Sequence, residues 1–190
     1  MAKFGSGQGT PRSTRTDGLP GLGGPAGGRY DIRIARDGTW YHEGRPIRRP
    51  ALVKLFATVL SRDESGAFWL TTPVERGRIS VDDAPFVAVE LSREGDGPGQ
   101  TLWFRTNIDQ RVAAGPEHPI RVAFSAGTQE PSPYILISQG LEALIVRPVY
   151  YRLADLVVDH AGRLGVWSRH RFFPLDAPAD PSSPDSGDGP

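Results

Sequence analysis

The chain has 190 residues, of which 22 are Lys or Arg and 22 are Asp or Glu, so its formal net charge at pH 7 is zero. This balance excludes the strongly basic class of general nucleic-acid binders. The absence of cysteine excludes disulfides and thiolate metal sites, and no apolar run approaches the roughly 20 residues that a membrane-spanning helix needs.

Both ends of the chain are poor in large apolar side chains. Residues 1–28 are rich in Gly and Pro, and residues 175–190 consist mainly of Pro, Ser, Asp and Gly. Neither end could bury enough surface to offset the entropy lost on ordering, so we expect both to be disordered. The first residues also lack the apolar core of a secretory signal, so we expect a soluble cytoplasmic protein.

The first half of the predicted body opens with a β-hairpin. Residues 30–35 alternate apolar and polar side chains, Asp37-Gly38 favours a turn, and an extended run resumes at Trp40. A helix is predicted over residues 50–60, because proline is favoured at the first helical position and the apolar residues that follow fall on one face. Strands are then predicted near residues 67–71 and 79–81.

The second half is predicted to be mostly strands. An irregular connection is expected over residues 106–119, and a second helix over residues 148–158. The predicted strands cover residues 86–91, 100–105, 120–125, 134–138 and 164–168. Strands outnumber helices, and no Gly-rich turn leads from a strand into a helix. The pattern therefore predicts an α+β fold with mostly antiparallel pairing. We place the halves at residues 29–82 and 83–174.

An internal repeat connects the two halves. Residues 47–69 recur at 145–167 without a gap, and each copy is expected to form one strand-helix-strand unit, so that the two units superpose. The equivalent residues Trp69 and Trp167 are expected in the core. The six identical positions are Ile47 and Ile145, Arg49 and Arg147, Pro50 and Pro148, Leu55 and Leu153, Val59 and Val157, and Trp69 and Trp167.

Familiar catalytic motifs are missing from the sequence. It has no Walker loop, no Gly-x-Gly-x-x-Gly stretch, no His-Glu-x-x-His and no Gly-x-Ser-x-Gly. No two of the four histidines are closer than ten residues, so no local metal pair exists. We therefore expect neither a metal nor a cofactor.

Three cations stand out as candidates for binding an anion. Arg49 and Arg147 each precede a predicted helix start, where unpaired N–H groups and the helix dipole favour negative charge. Alternatively, each arginine forms a salt bridge within its own unit, with Glu142 as a partner for Arg147. Lys54 is the only lysine in the body and lies off the apolar stripe of its helix, although it could be an ordinary residue on a solvated face.

Polar side chains also follow several predicted strands. Thr72 and Glu75 come after one strand, and Arg105 and Asn107 end another. Such positions can face a cleft, and Thr or Asn can bind the edge of a base or sugar, but ordinary turn chemistry explains the pattern equally well. His118 precedes a strand, where a histidine more often forms a structural hydrogen bond than acts in catalysis.

Several stretches resemble an uncharacterised bacterial family, the domain of unknown function 1285. They are Asp37-Gly38-Thr39-Trp40, residues 46–60, Thr72-Pro73-Val74-Glu75, Asp83-Ala84-Pro85-Phe86, Phe104-Arg105-Thr106-Asn107, His118-Pro119 and Gly165-Val166-Trp167-Ser168. The resemblance implies an α+β protein with a duplicated core and a C-terminal half superficially like pleckstrin-homology domains. It also implies a site between the halves, suggested for a nucleotide-like ligand in signalling.

One turn departs from the family pattern. This chain has Arg169-His170 where the family typically has Gly-Gly after Trp-Ser. If this turn borders the site, Arg169 favours a more anionic ligand; otherwise the change affects only a surface turn.

These observations favour a non-enzymatic binding protein that holds a small anionic or nucleotide-like ligand between its halves in signal transduction. One alternative is a protein-interaction module without a small ligand. Another is an enzyme acting on a phosphorylated small molecule, with His118, Glu75 or Asp83 as general base. Neither a membrane nor nucleic acid in general is expected as a partner. The predicted ligand-binding residues are Arg49, Lys54, Thr72, Glu75, Arg105, Asn107, His118, Arg147 and Arg169.

Overall fold

Two helices and three β-sheets make up the part of the chain that the computed structural model describes, residues 28–128 and 130–177. The first half forms one six-stranded sheet with the strand order β3-β2-β1-β6-β5-β4. Its elements are β1 (Gly28–Ile34), β2 (Trp40–His42), β3 (Arg45–Pro46), α1 (Pro50–Thr58), β4 (Leu60–Arg62), β5 (Phe68–Thr71) and β6 (Arg76–Val81).

The second half forms a six-stranded sheet, ordered β10-β11-β12-β7-β8-β9, and a three-stranded sheet, ordered β13-β14-β15. A short 3-10 helix, Gly97–Gly99, precedes β8. The elements are β7 (Phe86–Glu94), β8 (Thr101–Thr106), β9 (Arg111–Ala113), β10 (Ile120–Phe124), β11 (Pro131–Ser138), β12 (Leu141–Ile145), α2 (Arg147–Ala154), β13 (Val158–His160), β14 (Arg163–Ser168) and β15 (Arg171–Pro174).

Most neighbouring strands run antiparallel, as the sequence predicts. The parallel pairs among the described strands are β1 with β6 and β12 with β7. The α+β class is confirmed, whereas the likeness of the C-terminal half to pleckstrin-homology domains stays a prediction. Neither helix of the described residues has the length and apolar character needed to cross a membrane.

Both helices are shorter than predicted, because a strand begins within four residues of the end of each. Helix α1 ends at Thr58, and Leu60 already pairs with Leu70 of β5. Helix α2 ends at Ala154, and Val158 pairs with Gly165. The sequence also missed the short strands β3, β4, β9, β12, β13 and β15. Strands of two to five residues carry too little alternation to be recognised, and their pairing partners fix them instead.

The buried side chains of both halves form one continuous hydrophobic cluster. Trp40 of β2 stacks on Phe56 of α1 with ring centroids 6.1 Å apart, and Val149 and Leu153 hold α2 against the second sheet. Because α1 has only nine residues and one buried side chain, this packing rather than helix propensity stabilises it. The halves therefore share one core.

The repeated segments have the same order of helix, strand and strand. Strand β4 at residues 60–62 corresponds to β13 at residues 158–160, at the offset of 98. They differ at their start, because Ile145 ends strand β12 whereas Ile47 lies outside any strand. That the two units superpose in space stays a prediction.

Trp69 and Trp167 were expected in the core, and this expectation is wrong. Both are only half-buried. The Trp69 Nε1–H donates to Asp63 Oδ2 at 2.7 Å, and Arg76 covers its ring. Trp167 packs against His160 and Phe172, with centroids 4.8 Å and 5.3 Å away.

The folded body continues beyond the predicted boundary at residue 174. Leu175 is buried, and the Asp176 carboxylate accepts hydrogen bonds from Arg163 and from the Leu164 N–H. At the other end Gly28, assigned from composition to the tail, begins β1. The rest of both predicted disordered tails lies outside the described residues.

Candidate functional site

The turn between β1 and β2 joins the two halves of the molecule. Arg36 in this turn donates from Nη2 to Ser132 Oγ at 3.2 Å and lies 3.1 Å from an Asp83 carboxylate oxygen. On the other side of the turn, the Gly38 carbonyl accepts a hydrogen bond from Asn107 Nδ2 at 3.1 Å. A cleft lies on each side of this junction.

The larger cleft, about 500 Å³, lies between β11 and α2, and we name it the Arg147 cleft. It opens because β12 turns into α2 after Ile145. Strand β11 pairs with β12 only as far as Tyr134, which leaves residues 131–133 without a neighbour on that side. The lining residues are Arg36, Glu130, Pro131, Ser132, Pro133, Leu144, Ile145, Val146, Arg147, Tyr150 and Tyr151.

Two guanidinium groups from different halves face the Arg147 cleft. Arg147, at the start of α2, pairs with the Glu130 carboxylate, and both side chains are more than half exposed. Arg36 belongs to the first half and donates a hydrogen bond to Ser132. Exposed ion pairs of this kind contribute little to stability, so an incoming anion could replace Glu130 at small cost.

Two tyrosines of α2 form the apolar wall of the cleft. Tyr150 is half-buried, and burial raises the pKa of its hydroxyl, which therefore stays protonated as a hydrogen-bond donor at neutral pH. Tyr151 is 62% exposed and leaves a ring available for stacking. The cleft thus combines cationic donors with aromatic surface.

The second cleft, about 220 Å³, lies on the other side of the β1–β2 turn, and we name it the Lys54 cleft. Its walls include Trp40, Lys54 and Asn107. Asn107 is committed to the fold, because its Oδ1 also accepts from the Val87 N–H at 3.2 Å. Lys54 Nζ lies 2.7 Å from Asp109 Oδ2, which neutralises the charge predicted to bind an anion.

Arg105 belongs to the same charged network as Lys54. Its Nη1 donates to Asp109 at 3.0 Å and its Nε to Glu90 at 2.7 Å. The hydrogen bond from Lys54, followed by the one from Arg105, lowers the pKa of Asp109. Three of the predicted site residues, Lys54, Arg105 and Asn107, are therefore brought together between the halves, but the first two are already paired with carboxylates.

Thr72, Glu75 and His118 lie away from both clefts. Thr72 and Glu75 close a turn in which the Glu75 N–H donates to Thr72 Oγ1, and Glu75 also accepts from Tyr30. His118 Nδ1 lies 3.0 Å from the Leu136 carbonyl oxygen. These three residues have the ordinary turn and structural roles that formed the alternative reading of the sequence.

Two predicted arginines stand at backbone turns outside the clefts. Arg49 is exposed before α1, and its carbonyl accepts the first hydrogen bonds of the helix from Leu52 and Val53. Arg169 adopts a φ of 51°, and its N–H donates to the Gln100 carbonyl at 2.7 Å. The family departure at Arg169 therefore falls on a tight turn, where glycine would be less strained.

Two features of the Arg147 cleft escaped the sequence analysis. Arg36 precedes the turn predicted at Asp37-Gly38 but was not itself singled out, and Tyr150 and Tyr151 carried no signal beyond their place in the repeat. Glu142, suggested as the partner of Arg147, instead accepts two hydrogen bonds of 2.6 Å from Arg121. This is because Glu142 lies inside β12, while Arg147 has already turned away at the start of α2.

A metal site is not evident in the part of the chain that the structure describes, where no three His, Cys, Asp or Glu side chains are grouped to hold an ion. The three residues considered as general bases for an enzyme, His118, Glu75 and Asp83, are also not grouped in one site. Asp83 binds Tyr134 and Arg36, whereas His118 and Glu75 have the separate partners given above.

Family models match almost all of the described chain. Residues 24–84 match the N-terminal domain, and residues 85–175 the C-terminal domain, of a protein of unknown function, DUF1285. The two matched ranges meet at the junction between the sheets. Comparison with curated proteins gave no match.

Two crystal structures resemble the chain. A DUF1285 family protein from Silicibacter pomeroyi DSS-3 is 47% identical, with a TM-score of 0.75, over 86% of this chain and 91% of that one. A DUF1285 family protein from Shewanella baltica OS155 is 25% identical, with a TM-score of 0.52, over 66% of this chain and 91% of that one.

Proposed function

We propose that this chain, which belongs to the DUF1285 family of proteins of unknown function, binds a small anionic ligand in the Arg147 cleft. The observation that carries the proposal is the meeting of Arg36 and Arg147, from different halves, beside two tyrosines in one cleft. Ligand sites typically have 300–1,000 Å³, mostly apolar walls and a few polar groups that fix the ligand, and this cleft fits that description.

The chemistry of the walls favours a ligand with a phosphate or carboxylate at one end and a flat ring at the other. A guanidinium group can donate two parallel hydrogen bonds to a phosphate or carboxylate, and a tyrosine ring can stack on a base. A nucleotide-like ligand combines both features. A role in signalling, which the family resemblance implies, and a cytoplasmic location, which the sequence led us to expect, are part of the same proposal.

The two alternatives receive less support from the structure. Glu75 and His118 lie away from the Arg147 cleft, and Asp83, although it pairs with Arg36, is not among the residues that line it, so the three candidate bases do not converge on the anion site. The large exposed apolar side chains are scattered; Val158 and Leu164, for example, lie on opposite faces of one small sheet, since Leu164 pairs with Asp159. These side chains therefore form no extended apolar patch for a protein partner within the described residues.

Calorimetric titration of nucleoside phosphates and phosphorylated metabolites tests this proposal, after a thermal-shift screen has found a binder. Arg36→Ala and Arg147→Ala should each weaken binding about tenfold or more, the value of a charge-assisted hydrogen bond. Glu130→Gln should strengthen binding, because it removes the competing carboxylate. Arg152→Ala is the matched control, since Arg152 lies on the same helix but outside the cleft.

Equal binding by Arg36→Ala, Arg147→Ala and the Arg152→Ala control would overturn the proposal. So would a ligand whose affinity depends on Lys54 but not on Arg147. Unfolding midpoints of all variants, measured without ligand, separate loss of binding from loss of structure.

A further inference from the structure

The outer face of the first sheet carries a row of three arginines that the Arg147 cleft does not use. Side chains of β1 and β6 alternate between the core and solvent, so that Arg29, Arg76 and Arg78 are all exposed. Within the described residues none of the three forms a salt bridge with a carboxylate. We name this set the arginine row.

Arg29 and Arg78 are direct neighbours across the parallel pair β1–β6. Like charges opposite one another on neighbouring strands destabilise a sheet, unless something of opposite charge lies between them. Arg29 Nη2 donates to Ser80 Oγ at 2.9 Å, which holds its side chain on this face. The register therefore sets two cations side by side and leaves their charge uncompensated.

Trp69 continues the row on the other side of Arg78. It pairs with Arg78 across β5 and β6, and the guanidinium carbon of Arg76 lies 4.2 Å from its ring centroid. The hydrogen bond from Trp69 Nε1 to Asp63 fixes the indole. A guanidinium stacked on a ring keeps the N–H donors in its own plane, so Arg76 is ordered but still able to bind an anion.

A polar cleft of about 360 Å³ lies along this row, and Arg29, Arg78 and Ser80 line it. Its lining contains no carboxylate, unlike that of the Arg147 cleft. Among the acidic residues of the same region, Asp82 is bound by Arg33, and Asp31 forms no salt bridge with the row. Asp63 accepts a hydrogen bond from Trp69, and Glu75 accepts one from Tyr30. None of these carboxylates lines the cleft, whose charged lining residues are Arg29 and Arg78.

We propose that the arginine row is a second, independent site that binds a chain of linked phosphates. Three guanidinium groups and a serine hydroxyl provide more donors than one phosphate accepts, which favours a di- or triphosphate over a monophosphate. The ligand is either inorganic polyphosphate or the phosphate chain of a nucleoside polyphosphate. Both offer the same oxygens to the same donors.

Calorimetric titration of the full chain with tripolyphosphate, pyrophosphate and inorganic phosphate tests the proposal. Affinity should fall in that order and should weaken as salt is raised. Arg29→Ala and Arg78→Gln should each weaken tripolyphosphate binding about tenfold or more. A nucleoside triphosphate that binds no tighter than tripolyphosphate identifies the phosphate chain alone as the ligand; tighter binding, lost in Arg78→Gln, identifies the nucleotide.

Two controls separate this site from other sources of binding. Arg111→Ala removes another exposed arginine stacked on a tryptophan, 4.5 Å from the Trp103 ring, and should change nothing. Arg147→Ala should also leave tripolyphosphate binding at the row intact. Unchanged binding in both Arg29→Ala and Arg78→Gln, with native unfolding midpoints, would overturn the proposal. Binding of a single-stranded oligonucleotide without any binding of tripolyphosphate would overturn it too.

Discussion

Asn107 bridges the two halves through its side chain, donating to the Gly38 carbonyl at 3.1 Å and accepting from the Val87 N–H at 3.2 Å. Its own N–H donates to the Val87 carbonyl at 2.9 Å. Position 38 favours glycine because its φ is 82°, and an added Cβ would lie 2.7 Å from Asn107 Nδ2. The residue predicted to bind a ligand is thus a structural part of the junction.

We expect Asn107→Ala to destabilise the protein by about 1–3 kcal/mol, because it leaves the Val87 N–H and the Gly38 carbonyl without partners in a half-buried position. Urea unfolding measures this loss. Asn107→Asp keeps the acceptor for Val87 and should lose less. A stability equal to that of the wild type in Asn107→Ala would show that water replaces both bonds and that the side chain is available to a ligand.

Lys54→Ala should leave the unfolding midpoint almost unchanged, although Lys54 joins the halves through Asp109. Both side chains are about half exposed, at 46% and 58%, and solvent screens pairs of this kind. Thermal unfolding at low and high salt measures the effect, with Arg93→Ala, which breaks the exposed pair with Asp96, as the control. A large loss confined to Lys54→Ala would show that this salt bridge holds the halves together.

Sequence patterns were sufficient where a segment is long and regular. The alternation of residues 30–35 and the proline in the first turn of each helix predicted β1 and the starts of α1 and α2 to within two residues. They failed where the pairing of a strand with its neighbours, rather than its own sequence, determines the secondary structure. Strand β12 has no clear alternation, yet it is fixed between β11 and β7, and its end at Ile145 creates the Arg147 cleft.

The candidate site was predictable only in part. Arg147 was found because it precedes a helix in a repeated segment. Arg36 could not be found, because its role depends on the contact of the β1–β2 turn with Ser132, which is 96 residues away in sequence. The salt-bridge partner of Arg147 could not be predicted either. Proximity along the chain suggested Glu142, whereas β-pairing places Glu142 beside Arg121.

Gly77→Ala should destabilise the first sheet, although alanine loses less conformational entropy on folding than glycine does. The backbone conformation at Gly77 is open to other residues, but an added Cβ would lie 2.2 Å from the Tyr30 ring. Overpacking of this kind costs about 1–3 kcal/mol. If Tyr30 is the cause, Gly77→Ala should cost much less in a Tyr30→Ala background, as a double-mutant cycle in urea measures. Equal costs in both backgrounds would contradict this cause.

Asp63 should make the stability fall between about pH 4 and pH 2. Hydrogen bonds from Ser65 and then Trp69 lower its pKa from 3.8 to about 2. A carboxyl with a lowered pKa stabilises the folded state above its unfolded pKa, and this contribution is lost as pH falls through the folded value. Asp63→Asn should therefore be less stable than the wild type at pH 7, and the difference should shrink towards pH 2. A difference that is the same at both pH values would contradict the role of ionisation.

Leu175 should be needed for stability, although composition placed it in a disordered tail. It is only 6% exposed, and the N–H of Leu175 donates to the Leu164 carbonyl at 2.8 Å. Removing a buried leucine side chain costs about 2–5 kcal/mol, so Leu175→Ala should unfold at a clearly lower urea concentration. A chain ending at Pro174 should likewise be less stable than one ending at Ala177, which retains Leu175 and the pair between Asp176 and Arg163. Pro174→Ala, at an exposed neighbouring position, provides the control. Equal midpoints for the two truncated chains would place the end of the folded body at Pro174, as composition alone suggested.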